Sequence, residues 1–341
     1  MRYKPILEML EKYNEDEKLF KEFYYMEKNP LNIQKFKEKY KHQEEDINTV
    51  LAPNKLPSNR REDDFIKKGN NISVIKHPRY VPFYLHDHAY FEMIYVVKGE
   101  CIHQLENNKS TLKAGDICIL APNVKHGIKV FDDSIIINIL IRQSTFLDIF
   151  MNYMRDKSQI GIFFLDNIYT KNKINYIIFH TGKDEKILES ILDLYIENMN
   201  DDEYTDRIMC SILTIFFAKL TRYYKDSIEL PEVRYKKSNY ENQIIRYVYE
   251  NYQNMTLDKL SKHFHYSLPY CSKLIKEITG FSFSKLLTQI KLQNGKNYLL
   301  NTQLSVESIS EIIGYKNPET FIRVFKRYYD CSPSQYRKNQ I

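Results

Sequence analysis

Several side chains able to hold a cation or move a proton cluster between positions 86 and 126. They form His86-x-His88-x3-Glu92-x6-Gly99, followed by Gly115-x6-Pro122-x3-His126. Alternation along a strand puts His86, His88, Tyr90 and Glu92 on one face, and a returning strand would bring His126 beside them. Three imidazoles and one carboxylate suit a divalent transition metal, so His86, His88, Glu92 and His126 are candidate ligands. The same groups, with Tyr90 and His103, would also line a pocket for a small effector. A third reading makes them hydrogen-bonded barrel residues with neither metal nor ligand. The residues leave all three open: no cofactor is required, and a divalent metal in the barrel is the one they would allow.

These residues need strands to position them. From about Ile72 to Ile141, short apolar runs alternate with turn signals. The runs are Phe91 to Val97, Cys101 to Leu105, Ile117 to Leu120 and Ile135 to Ile141. Lys98-Gly99-Glu100, Asn107-Asn108 and Ala121-Pro122-Asn123 separate them. Regular short strands of this kind predict a small antiparallel barrel or sandwich. Residues 1–70 are charged, have helical spacing at Ile6, Leu7, Leu10, Leu19, Phe20, Phe23 and Tyr24, and are broken by prolines. The barrel is expected over residues 71–182. A pair of amphipathic helices follows over 183–226, and its apolar stripes could form a homodimer seam. Residues 227–239 are polar and read as a linker.

Charge separates the last hundred residues from the rest. The chain of 341 residues has a net charge of +6; residues 240–341 hold 14 Lys or Arg against 8 Asp or Glu, so the rest balances to zero. A localised basic region is the footprint of a nucleic-acid binder, although a solvated Lys-rich helical surface would look similar. The five cysteines are widely spaced without a C-x-x-C pair, which fits a reducing cytoplasm rather than a disulfide framework or zinc module. The N-terminus has no apolar signal segment, and the longest apolar runs are too short to span a membrane.

The basic region repeats itself. Leu257, Leu260, Ser261 and Tyr266 recur 49 positions later as Val306, Ile309, Ser310 and Tyr315. Leu274, Ile275, Lys276 and Ser282 recur 50 positions later as Val324, Phe325, Lys326 and Ser332. Each copy reads as helix, tight turn, helix, the shape that presents a second helix to a DNA major groove. Thr256 and Ser267 are expected N-caps, and Gly280 a helix stop. Asn317-Pro318 starts the second helix of the second copy. Inward positions are Cys271, Leu274, Ile275 and Ile278 in one copy, and Phe321, Val324, Phe325 and Tyr328 in the other. Outward positions are Pro269, Tyr270, Ser272, Lys273, Lys276 and Glu277, then Glu319, Thr320, Ile322, Arg323, Lys326 and Arg327. Those early in each helix should meet base edges, whereas Lys276, Lys326 and Arg327 suit phosphates. A helix from about Ser284 to Asn301 joins the copies. Gly295 in its middle costs about 1 kcal/mol relative to alanine, which predicts close contact with one of the modules there.

Residues 240–338 resemble the DNA-binding domain of the AraC/XylS family of bacterial transcription regulators. The carrying motifs are Cys271-Ser272-Lys273-Leu274-Ile275-Lys276-Glu277-Ile278-Thr279-Gly280, Ile309-Ser310-Glu311-Ile312-Ile313-Gly314-Tyr315, Phe321-Ile322-Arg323-Val324-Phe325-Lys326-Arg327-Tyr328 and Ser332-Pro333-Ser334-Gln335-Tyr336-Arg337. The chain departs from the family pattern at His265, Gly295 and Asp330. The histidine motifs resemble those of cupins, with Asn123 in place of a glycine. The resemblance implies an α+β chain: an antiparallel cupin-like β-barrel with flanking helices, then an all-α domain, 240–341, with two helix-turn-helix motifs. It implies a cytoplasmic, sequence-specific regulator with promoter DNA, RNA polymerase and a small effector such as a sugar as partners. It points to a carbohydrate operon. The alternative is a metal-dependent cupin enzyme, an isomerase or dioxygenase, fused to a DNA-binding domain.

Overall fold

Runs of β-branched residues bounded by turns form the framework of the N-terminal half. The computed structural model describes residues 2–105, 108–145, 159–170, 175–230 and 243–338. They group into two units, 2–145 with 175–230, and 159–170 with 243–338.

In the first unit the strands are β1 (Asn59–Arg60), β2 (Ile72–Lys76), β3 (Asp87–His88), β4 (Phe91–Lys98), β5 (Glu100–Leu105), β6 (Asn108–Lys113), β7 (Asp116–Leu120), β8 (His126–Lys129), β9 (Ile135–Ile141), β10 (Tyr176–His180) and β11 (Ile228–Glu229). They build a six-stranded sheet in the order β11-β10-β7-β4-β9-β2 and a three-stranded sheet in the order β6-β5-β8. Pairing within both is antiparallel. Every residue of β7 and β9 is buried, so these strands read as continuous apolar runs rather than alternating ones.

Four helices precede the sheets: α1 (Lys4–Glu11), α2 (Glu15–Tyr25), α3 (Pro30–Lys39) and α4 (Glu44–Leu51). A buried ion cluster fastens them to the loop after β2. Glu17 on α2 accepts from Arg79 Nε and Nη2, both at 2.9 Å, and from Lys76 Nζ at 2.7 Å. Arg79 also lies over the Tyr13 ring, 3.7 Å from its centroid. The N-terminal segment is not only helical. Its β1 runs parallel to β3, with Arg60 opposite His88.

Two further helices, α6 (Glu185–Asn200) and α7 (Thr205–Tyr224), pack on each other, and each buries an apolar stripe that includes Ile191 and Leu194 on α6 and Leu213 and Phe217 on α7. Asn198 bonds both backbone groups of Val74 on edge strand β2. On the far side of α7, Tyr204, Ile208 and Ile215 stay exposed.

The second unit is helical: α5 (Gln159–Tyr169), α8 with its described part at 243–250, α9 (Leu257–Phe264), α10 (Leu268–Thr279), α11 (Phe283–Asn301), α12 (Val306–Ile312), α13 (Pro318–Tyr329) and α14 (Pro333–Lys338). Two expected boundaries need correction. Residues 71–182 are not one barrel stretch, because α5 groups with the C-terminal unit, where Tyr169 packs 6.1 Å from Tyr249. Helix α5 buries Ile160, Phe163, Phe164, Leu165 and Tyr169 together with Asp166 and Asn167, so it belongs to a core rather than to a surface connection. The linker expected at 227–239 starts later, because Ile228 and Glu229 pair with β10. Its residues 231–239 lie outside the described residues, as do 240–242 and 339–341.

Candidate functional sites

Glu92 is the hub of the histidine cluster. Its Oε2 lies 2.9 Å from His88 Nε2 and 3.0 Å from His126 Nε2, and its Oε1 accepts from Asn138 Nδ2 at 2.7 Å. The topology explains the meeting. β4 carries Glu92, β3 carries His88, and β8 begins at His126, which forms a β-bridge with His86. Tyr90 stacks flat on His88, with ring centroids 4.2 Å apart. His103 on β5 lies edge-on to His126 at 5.6 Å. The structure therefore brings together all six residues named from the sequence, His86, His88, Tyr90, Glu92, His103 and His126. It adds Asn138 and His77, whose single polar positions gave no signal in the sequence.

The site is buried; His88, His103 and His126 have no exposed surface. Burial pushes the His86 pKa down to about 2 and His103 to about 3, so both rings are neutral. Desolvation works the other way on Glu92, but hydrogen bonds from His126 and His88 outweigh it and hold the carboxyl well below its ordinary value. His86 Nδ1, His103 Nε2, His77 Nε2 and Asn138 Oδ1 are buried and make no hydrogen bond among the described residues.

Backbone carbonyls hold the far side of both rings. His88 Nδ1 lies 2.7 Å from the Tyr90 carbonyl oxygen, and His126 Nδ1 lies 3.0 Å from that of Val124. Each ring thus has an oxygen within hydrogen-bond distance of both nitrogens. Ligand atoms of His86, Glu92 and His126 lie within 4.8 Å of one another, close enough to share one cation. The residues present therefore fit a divalent transition metal.

The second constellation is the helical repeat. In the first copy Thr256 caps α9 and Ser267 caps α10, each accepting from the backbone three residues on. Gly280 ends α10 in the left-handed region at φ 79°. His265 takes the left-handed turn position at φ 56°, where a glycine would be cheaper. In the second copy Ser305 caps α12, Gly314 turns at φ 81°, and Asn317 caps α13. Cys271, Ile275, Ile278, Phe321 and Phe325 are buried as expected. Pro269, Tyr270, Ser272, Lys273, Lys276, Glu319, Arg323, Lys326 and Arg327 are exposed, and Thr320 and Ile322 are half-buried.

One inward assignment is corrected. Tyr328 is 45% exposed, and its hydroxyl accepts from Gln289. The neighbouring Tyr329 packs instead, 4.5 Å from Phe325 and 5.6 Å from Tyr336. Two adjacent tyrosines near a helix end leave the phase ambiguous, and stacking on α14 selects the second.

Two family models match parts of the chain. A model described as the AraC-like ligand binding domain matches residues 76–168, and one described as a helix-turn-helix domain matches residues 260–339. Residues 76–168 are thus similar to an AraC-like ligand-binding domain and residues 260–339 to a helix-turn-helix domain. Among similar proteins, the raffinose operon transcriptional regulatory protein RafR of Pediococcus pentosaceus is 39% identical over 84 residues, 25% of this chain and 30% of that protein. The uncharacterized HTH-type transcriptional regulator YtdP of Bacillus subtilis is 34% identical over 86 residues, 25% of this chain and 11% of that one. The chain thus spans under a third of the length of either. The HTH-type transcriptional activator RhaS of Escherichia coli is 21% identical over 279 residues, 81% of this chain and 96% of that protein. Among solved structures, ToxT from Vibrio cholerae is 15% identical, with a TM-score of 0.30 over 80% of this chain and 98% of that one. All three of these sequence relatives are named as transcriptional regulators or activators. No described helix is long and apolar enough to cross a membrane.

Proposed function

We propose that this protein is a cytoplasmic, sequence-specific transcription regulator that reads promoter DNA through α10 and α13. The carrying observation is the pair of capped helix-turn-helix modules, each with an exposed polar and cationic face, on the part of the chain that holds all its net positive charge. Pro269, Tyr270, Ser272, Lys273, Glu319, Thr320, Ile322 and Arg323 face the base edges, and Lys276, Lys326 and Arg327 the phosphates. Binding positions RNA polymerase at the promoter. The raffinose-operon relative favours a carbohydrate operon and a sugar effector. Footprinting on a duplex selected from a random library tests the DNA reading. It should protect two adjacent major-groove segments on one face, and protection of a single segment would leave one module idle.

The chain works as a homodimer through α7. Tyr204, Ile208 and Ile215 lie on one exposed face. Asp201, Asp202 and Glu203 precede the helix, and Arg222 and Lys225 end it. An antiparallel pairing of two copies would cover the apolar stripe and oppose these charges.

The convergence of the His86, Glu92 and His126 ligand atoms within 4.8 Å of one another supports a metal as occupant of the histidine cluster. His88 and His126 would be ligands through Nε2, each held in orientation by its Nδ1–H on a backbone carbonyl, as metal-bound histidines commonly are. His86 and Glu92 complete the set. When bound, the ion would offer an electrophilic point for an oxygen atom of the effector. Titration with Co²⁺, followed by its visible absorption, should show one ion per chain in the wild type and none in Glu92→Gln. Equal uptake by both proteins would remove the metal and leave a purely organic pocket.

A further inference from the structure

Helix α11 joins the two modules, and its Lys291 contacts both. Lys291 Nζ donates to the Gly314 carbonyl oxygen at 2.6 Å and to the Gln253 carbonyl oxygen at 3.1 Å. Gly314 is the turn residue of the second module. Gln253 lies in the 3-10 turn Tyr252–Asn254 that leads into α9 of the first. The two carbonyls belong to surfaces already in contact: a Cβ placed on Gly314 would lie 2.0 Å from the Gln253 oxygen. The ammonium also lies 5.2 Å from the centroid of the Tyr315 ring. Four residues on, Gly295 lets α11 approach the second module, where an added Cβ would meet Ile313 Cδ1 and Phe321 Cε2 at 3.1 Å.

The chemistry of this tie is unusual for a lysine. It is half-buried, and no carboxylate among the described residues pairs with it. Burial lowers its pKa, so holding the charge there carries a cost. Against that cost, the ammonium satisfies a carbonyl at the C-terminal end of α12, where the helix dipole favours a cation. Stability of a helical core does not require a charge at this place; an apolar side chain of the same length would fill the volume. What the charge adds is a directional link between two segments 61 positions apart in sequence.

We propose that Lys291 is a positioning residue that fixes the spacing of the two recognition helices, and so the spacing of the base-pair segments that the protein accepts. The proposal rests on the DNA-binding reading above. A rigid pair of helices cannot follow one added base pair, which moves the second segment by about 3.4 Å and turns it by about 35°. A pair freed from the Lys291 tie can follow it in part.

The test uses the full chain and a duplex that the wild type selects from a random-sequence library. One base pair is then inserted between the two protected segments, and affinity is read by fluorescence anisotropy at fixed salt. The wild type should lose much of its affinity on insertion. Lys291→Met should bind the selected duplex somewhat more weakly and reduce the insertion penalty at least about fivefold. Lys291→Arg keeps donors for both carbonyls and should keep the wild-type penalty. If the Met variant does not fold, Lys291→Gln is read in its place. An insertion penalty unchanged in the Met or Gln variant overturns the proposal but not the DNA reading, and so does an arginine variant that loses the penalty. A wild-type chain that selects no duplex overturns both.

Discussion

Glu17, Arg79 and Lys76 show how much a few buried charges decide. Glu17 has no exposed surface, and two cations reach it. Desolvation alone would raise its pKa, but hydrogen bonds from Arg79 and Lys76 prevail and lower it from 4.5 to about 2. Removing the carboxylate strands a buried guanidinium, so Glu17→Gln should cost on the order of 3–5 kcal/mol in urea unfolding. The depressed value also fixes the sign of the pH dependence. The stabilisation is complete above pH 4.5 and is lost as pH falls toward 2, so the gap between wild type and Glu17→Gln should narrow in acid. A gap that is constant with pH would mean that the ion pair is not the source. Little of this was legible in the sequence. Glu17 and Arg79 are 62 positions apart, and a charged residue in a helix reads first as a solvated one. The histidine motif was legible by residue type and spacing, but not by the expected alternation along one strand, since a bend at 89–90 puts His88 on β3 and Glu92 on β4 in different sheets. Its hub geometry was not, since Asn138 reaches Glu92 from a different strand.

At the scale of elements, the helical repeat was the most readable part of the chain. Thr256, Ser267, Asn317, Gly280 and Gly314 punctuate helices with a 3.6-residue apolar period, and local chemistry sufficed to place them. Gly295 was legible as a close approach, and packing identified the second module as its neighbour. Helix α5 was not legible as part of this unit, because its apolar residues name no partner and its sequence neighbours are barrel strands. The two faces of α13 lead to separable outcomes. Arg323→Ala should relax preference at one site position, with a loss of about 1–3 kcal/mol there, when binding is profiled over single-base variants. An unchanged profile would remove Arg323 from base reading. Lys326→Ala should weaken all duplexes alike and lower the slope of log affinity against log salt by about one. A loss confined to one base would contradict its phosphate role.

At the scale of the molecule, the chain crosses between its two units more than once. It leaves the sheets after β9, adds α5 to the helical unit, returns as β10 and crosses again after β11. On the proposed function, an effector would switch DNA binding only by binding two conformations of the chain with different affinity. Assembly adds another level. Ile215 is 58% exposed in the middle of α7. Ile215→Glu should turn a dimer into a monomer in sedimentation equilibrium without lowering the melting temperature of the chain. A dimer that survives the change would place the seam elsewhere.

Sequence-specific DNA recognition is the claim on which the rest depends. It is tested most directly by competition at one fixed salt concentration between a duplex selected by the protein and random-sequence DNA of equal length. Recognition through two helices predicts that the selected duplex competes on the order of a thousandfold better or more. Equal competition by the two duplexes would reduce the basic helical unit to a non-specific polyanion binder and contradict the account.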